Sequence, residues 1–222
     1  MVAADPSPTR ANEPFVSVII AALNEANSLG EAITALQPTE VPYEVIVVDA
    51  GSSDETVTTA ATAGAHVLQS FSRQRANQLN LGARQAHGAI LLFLHVDTLL
   101  PPNALDLIVT ALEDQKVVGG AFARRYAFPS VLLRAACVLA FCGNHVVGWH
   151  LGDQALFVRS GSFFYACGFR EVARLEDLDF SRRLRKFGRT VTLRPCAIFS
   201  PRRFDRFGAS GTKARELALT IR

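Results

Sequence analysis

"AILLFLHVDTLLPP" (89–102) decides the fold. Ile90–Leu94 has the length and composition of a strand buried on both faces, and it stops by delivering His95 and Asp97 before two prolines. In open parallel α/β sheets, ligands bind beyond the carboxyl ends of the strands. A carboxylate and an imidazole at that point therefore mark a candidate site. Working outward, "FVSVIIAAL" (15–23) and "EVIVVDAGS" (44–52) are also apolar, β-branched runs that end in polar residues, Asn24 and Glu25 after the first and Asp49 in the second.

Helical segments fall between these strands. "NSLGEAITALQP" carries Leu29, Ile33 and Leu36 on one face, with Pro38 after its end. "SDETVTTAATAGA" reads as a helix capped near Ser53 or Asp54 and closed by Gly64. "HVLQS" (66–70) is a short strand, and "RQRANQLNLGARQAHG" is a helix ending at Gly88. A helix through Leu105, Ile108, Val109 and Leu112 follows the strand before Asp97. Alternating strand and helix argues for a Rossmann-like, mostly parallel sheet flanked by helices. After residue 116 the pattern changes: "VVGGAFARRY" and "QALFVRS" read as strands of a mixed part. "LEDLDFSRRLRKFG" reads as a helix with Phe180, Leu184 and Phe187 aligned and Gly188 behind them.

Composition bounds the function. The chain has 222 residues, 49% hydrophobic, enough for one domain with a substantial core. A net charge of +3 is too weak to point to nucleic acid as a partner. The basic runs "RRLRKFGR" and "PRRFDRFG" suit solvated faces as well as anion contacts. Cys137, Cys142, Cys167 and Cys196 have no zinc spacing and read as small apolar residues in a reducing, cytoplasmic setting. Residues 1–14 read as a flexible tail without the apolar segment of a secretion signal. "VLLRAACVLAFC" (131–142) is too short to span a bilayer; it reads as a buried helix or as one lying peripherally on the inner membrane face.

The dinucleotide pattern GxGxxG and the Walker A pattern are both absent after the first strand, and "FGASGTK" (207–213) has the wrong spacing for either. Carboxylates gathered at one sheet edge instead suit base or ribose contacts and a hard divalent ion, Mg²⁺ or Mn²⁺. Each acidic residue also has a plainer reading. Asp after a strand often caps a turn, and Glu176 and Asp177 suit the positive end of a helix dipole.

"VSVIIAALNEANSL", "YEVIVVDAGSSDET", "ILLFLHVDTLLPP" and "RLEDLDFSRRLRKFG", in that order, resemble the family 2 nucleotide-sugar glycosyltransferases of GT-A fold. "SRQRANQLNLGA", "GDQALFVRS" and "SPRRF" narrow the resemblance to a small bacterial subgroup, and it covers about Phe15 to Gly208. The resemblance implies one domain over 15–222, with 15–115 the nucleotide-sugar-binding half and 116–222 the acceptor-binding half. It implies base reading by Asp49, base and ribose contacts at Asn24 and Glu25, and metal contact at Asp97, with His95 beside it as a second candidate metal ligand. Asp177 would be the catalytic base, with Glu176 its neighbour and rival. Arg75, Arg202 and Arg203 would face the phosphates. Asp153 and Gln154, between a glycine turn and a strand, could bind sugar hydroxyls. Near them in sequence, Trp149 could stack on a sugar ring or be a core residue, and His145 and His150 are candidates for extra metal ligands or structural residues.

The chain departs from the family pattern in three places. Ala21 and Ala50 replace a frequent Pro and Asp, and His95 stands where DxD has its first aspartate, giving HxD. The expected activity is inverting transfer of a sugar from a UDP- or GDP-sugar to an acceptor hydroxyl that could be lipid-linked. The competing readings are a catalytically altered sugar-nucleotide-binding protein and a nucleotidyltransferase.

Overall fold

The computed structural model describes residues 15–126, 155–172 and 175–199. Its elements are β1 (Val16–Ala22), α1 (Ala26–Thr34), β2 (Tyr43–Asp49), α2 (Thr56–Thr62), β3 (His66–Gln69), α3 (Arg75–Gln85) and β4 (Ile90–Leu94), then β5 (Thr98–Leu99), α4 (Ala104–Ala111), β6 (Val117–Tyr126), β7 (Leu156–Arg159), α5 (Ser160–Tyr165), α6 (Glu176–Leu184) and β8 (Arg189–Phe199). One eight-stranded sheet runs in the order β3-β2-β1-β4-β7-β6-β8-β5. β3, β2, β1 and β4 are parallel, as the alternating pattern predicts. β7 is antiparallel to both β4 and β6, β8 is parallel to β6, and β5 is antiparallel to β8, which makes the second half mixed.

Both faces of the sheet are covered. Val18 and Ile20 point into a core shared with Leu29 and Ile33 of α1 and Leu105 and Ile108 of α4. Ile19, Leu91 and Phe93 point the other way, against Leu79 and Ala83 of α3, Phe163 of α5 and Phe180 and Leu184 of α6. Two buried faces are why β1, β2 and β4 are apolar throughout rather than alternating.

Five local features differ from the sequence reading. α3 ends at Gln85, three residues before Gly88. Ala86 turns extended, and the chain then closes a clasp at the amino-terminal edge of the sheet. The His87 N–H donates to Glu44 Oε1 (2.7 Å), the Gly88 N–H to Ser17 Oγ (2.8 Å), and Ser17 Oγ to Glu44 (2.6 Å). A Cβ on Gly88 would lie 2.6 Å from the Ser17 backbone nitrogen, so this glycine marks a close approach and not a helix cap. Burial pushes the Glu44 carboxyl up, but hydrogen bonds from Ser17 and from the backbone and ring of His87 outweigh it and hold the group below the usual range.

Phe187 is not on the buried stripe of α6. The helix stops at Leu184, and Phe187 is 42% exposed, edge-on to Tyr165. β5 and α5 were not foreshadowed, and neither was β8. Pro195 interrupts β8 where its register with β6 shifts, between the pairs Phe122–Leu193 and Arg124–Ala197.

β6 and β8 approach too closely for a side chain at Gly120, where a Cβ would lie 2.1 Å from the Val191 carbonyl oxygen. Gly120→Ala is expected to cost about 1–3 kcal/mol, the usual penalty of overpacking. A urea melt of the purified variant checks it; a midpoint equal to the parent's would refute the close approach.

Candidate active site

The parallel registers bring three strand ends to one edge. Ala22 of β1 lies beside Asp49 of β2, and Ile20 of β1 lies beside Leu94 of β4. Asn24 and Glu25, Asp49, and His95 with Asp97 therefore share the carboxyl edge, where the sequence expected them. Gln69 pairs with Asp49, so the loop into α3 leaves from the same edge and places Arg75, the first residue of α3, there.

Asp49 is 1% exposed and organises its own loop. Its Oδ2 accepts from the N–H groups of Gly51 and Ser52, both at 3.0 Å, and its Oδ1 accepts a short bond from Ser52 Oγ. Ser52 Oγ in turn accepts from the Asn24 N–H (2.9 Å), and Asn24 Oδ1 accepts from the Ser53 N–H (2.8 Å). Asn24 sits at φ 55°, a left-handed conformation that Asn tolerates better than most residues. The Glu25 N–H donates to Thr56 Oγ1 (2.8 Å). Asp54 receives Thr56 and, at 3.3 Å, the Ala26 N–H; its carboxyl is held below the usual value first by the Thr56 hydroxyl, against a smaller desolvation. The loops after β1 and β2 are thus laced into one wall. Ser52, Ser53 and Thr56 were missed as site residues; the polar run "GSSDET" was the available signal.

Gln78 was also missed. It is buried in α3 and donates from Nε2 to the carbonyls of Ala22 (3.1 Å) and Val48 (2.8 Å), pinning α3 to the last turns of β1 and β2. A buried polar residue inside a helix pattern was its only sequence signal.

At the end of β4 the Thr98 N–H donates to the His95 carbonyl (3.0 Å), closing a turn. The turn folds His95 Nδ1 to 3.0 Å from Asp97 Oδ1, with the Asp97 side chain 17% exposed. At that distance the imidazole stands in ion-pair contact with the carboxylate and limits the directions it can take. Among the described residues, no group of three or more His, Cys, Asp and Glu side chains gathers around a metal position. One carboxylate beside one imidazole suits part of the shell of a hard divalent ion that takes its other oxygen ligands from elsewhere.

α6 starts without a side-chain cap: Leu175, its N-cap, is in the left-handed region at φ 62°. Asp177 Oδ1 accepts from the Leu178 N–H (2.8 Å) and is partly buried. Glu176 is partly buried like Asp177. Its side chain is 15% exposed, and its Oε1 lies 3.5 Å from Arg75 Nε. Asp153, Gln154, Arg202 and Arg203 lie outside the described residues, as do Trp149, His145, His150 and the 131–142 stretch. No helix among the described residues is long and apolar enough to cross a membrane.

Asp49→Ala is expected to destabilise the fold by about 1–3 kcal/mol, the cost of leaving buried N–H donors unpaired. Thermal melting checks this. An unchanged Tm would mean the turn does not depend on the carboxylate.

An architecture of this kind is shared by solved glycosyltransferases. A mannosyltransferase from Pyrobaculum calidifontis, solved with GDP-Man and Mn²⁺, superposes with a TM-score of 0.71 at 20% identity, over 85% of this chain and 57% of that one. TarS of S. aureus (residues 1–349), solved with UDP-GlcNAc, gives 0.67 at 16%, over 82% and 57%. These likenesses establish the GT-A fold. In sequence, a glycosyltransferase of Rickettsia prowazekii is 33% identical over 111 residues, 47% of this chain and 35% of that protein. The chain covers little more than a third of the length of such curated relatives. Residues 17–164 match the profile of Glycosyl transferase family 2, a span that holds all three strand ends and both wall loops. With the fold and the strand-end residues in agreement with it, that match places the chain in glycosyl transferase family 2.

Proposed function

We propose that the protein is an inverting glycosyltransferase that moves a sugar from a nucleoside-diphosphate donor to an acceptor hydroxyl. The convergence of Asn24, the Asp49 loop and His95–Asp97 on one sheet edge carries this reading. The neighbours solved with GDP-Man and UDP-GlcNAc support the class of donor.

The nucleoside lies along the wall of Asn24, Glu25, Ser52 and Ser53. A carboxylate has about four lone-pair sites, and the turn draws three bonds to Asp49. Asp49 therefore reads a base N–H through its remaining capacity while holding the wall in shape. Asp97, oriented by His95, would hold Mn²⁺ or Mg²⁺ together with the donor diphosphate. When bound, the ion offsets charge on the leaving group. Arg202 and Arg203 follow Phe199, the partner of Thr98, by a few residues in sequence and would add positive charge. Asp153 and Gln154, just before β7, would contact sugar hydroxyls.

Asp177 accepts the acceptor hydroxyl's proton as that oxygen bonds to the anomeric carbon. The bond from that carbon to the diphosphate breaks, and its electron pair leaves with the diphosphate. One base on the far side of the sugar yields inversion, without the carboxylate nucleophile of retaining glycosidases.

The test is thermal shift with UDP, GDP, ADP and CDP, each with and without Mn²⁺ or Mg²⁺. Metal-dependent stabilisation by UDP or GDP is expected. No shift with any of the nucleotides would overturn the reading.

A further inference from the structure

We propose that Arg75 and Glu176 are a positioning pair that aims Asp177, and that neither is a phosphate ligand or a base. The inference rests on Asp177 being the base. Arg75 Nε and Glu176 Oε1 are 3.5 Å apart, with side chains 25% and 15% exposed, so solvent screens the pair little.

Its mechanical setting gives it consequence. The start of α6 lacks a side-chain cap and follows a left-handed residue, so ordinary capping does not set its angle. The last turn is anchored from outside: Arg183 donates to the carbonyls of Ala166 and Gly168 (2.7 Å to the latter), and within the helix it donates to Asp179 of the first turn (2.8 Å). Arg75 opens α3, and α3 is pinned by Gln78 to the carbonyls of Ala22 and Val48 at the strand ends. A continuous chain of contacts therefore runs from β1 and β2 through Gln78, α3 and Arg75 to Glu176.

Neighbouring helical residues point about 100° apart. A pair that tethers the helix at Glu176 therefore also bears on the direction in which Asp177 leaves it. It also directs Glu176 at a guanidinium and Arg75 at a carboxylate, away from the roles of rival base and phosphate contact.

The test uses Arg75→Met, Glu176→Gln, the double variant, and the exchange Arg75→Glu with Glu176→Arg. UDP-GlcNAc and GDP-mannose with Mn²⁺ are the donor probes, and released UDP or GDP gives the rate. Each single variant is expected to lower kcat about 10- to 100-fold, the scale of a misplaced catalytic group. Donor affinity by calorimetry should stay within about twofold, since the pair does not touch the donor. The double variant should be no worse than the poorer single, the signature of two residues acting as one unit. The charge exchange should recover part of the loss. The rising limb of the pH–rate profile should survive in Glu176→Gln.

Amide exchange at Leu178–Phe180 should quicken in both single variants without any donor present. Unaltered exchange in both would overturn the pairing whether or not a donor is turned over. A weakened donor Kd in Arg75→Met alone would make Arg75 a phosphate contact. Loss of the rising pH limb in Glu176→Gln would make Glu176 the base. A fully active Asp177→Asn would remove the base assignment itself, independently of what Arg75→Met does.

Discussion

Asp177→Asn is expected to lower kcat by on the order of 10²–10⁴-fold, the usual worth of a positioned base. Donor binding should be nearly untouched. An amide keeps the size of the carboxyl but cannot take the acceptor's proton. Its carbonyl oxygen can still accept the Leu178 N–H, so α6 should start as before. The loss should therefore fall on chemistry and leave Tm and donor affinity near the parent values. Transfer rates beside donor calorimetry for Asp177→Asn and Glu176→Gln check it. A dead Glu176→Gln with an active Asp177→Asn would move the base by one residue.

Asp97→Asn is expected to lose about 10²–10³-fold in turnover, the scale seen when one stabiliser of developing charge is removed. Asp97 is the one carboxylate at the end of β4, and His95 rather than a second acid stands beside it. Because Asp97 is the charged member of the pair, removing this charge should also abolish the Mn²⁺-dependent part of the UDP or GDP thermal shift. Binding of the nucleotide without metal should change little. His95→Ala should be milder, because it removes the orienting contact and leaves the charge. Undiminished turnover in Asp97→Asn would refute the assignment. Equal losses in the two variants would show that His95 contributes as much as the carboxylate.

What could be read from the sequence was mostly local. The apolar runs of β1, β2 and β4 declare a sheet buried on both faces, because strands covered on one side only would alternate. The chain order strand–helix–strand forces parallel pairing, and parallel pairing sends every strand's last residues to one edge. Asn24, Asp49 and Asp97 could therefore be placed together before any coordinates. The two helix ends that were misplaced have a common cause. Gly88 and Gly188 look like helix stops, but each is small because another strand passes close by, at Ser17 and at Val118.

Non-local pairing was out of reach. β8 carries Pro195 and a register shift, so its strand character depends on β6 lying beside it. The sequence could also propose that Asp49 meets a ligand, but only folding shows its oxygens engaged by Gly51 and Ser52. Nothing in "RQRANQ" or "LEDLDF" signals that Arg75 and Glu176, a hundred residues apart, will meet. Hydrophobic periodicity repeats along the chain and is legible there. An ion pair between α3 and α6 depends on two helices docking on one face of the sheet, and only the tertiary structure decides it.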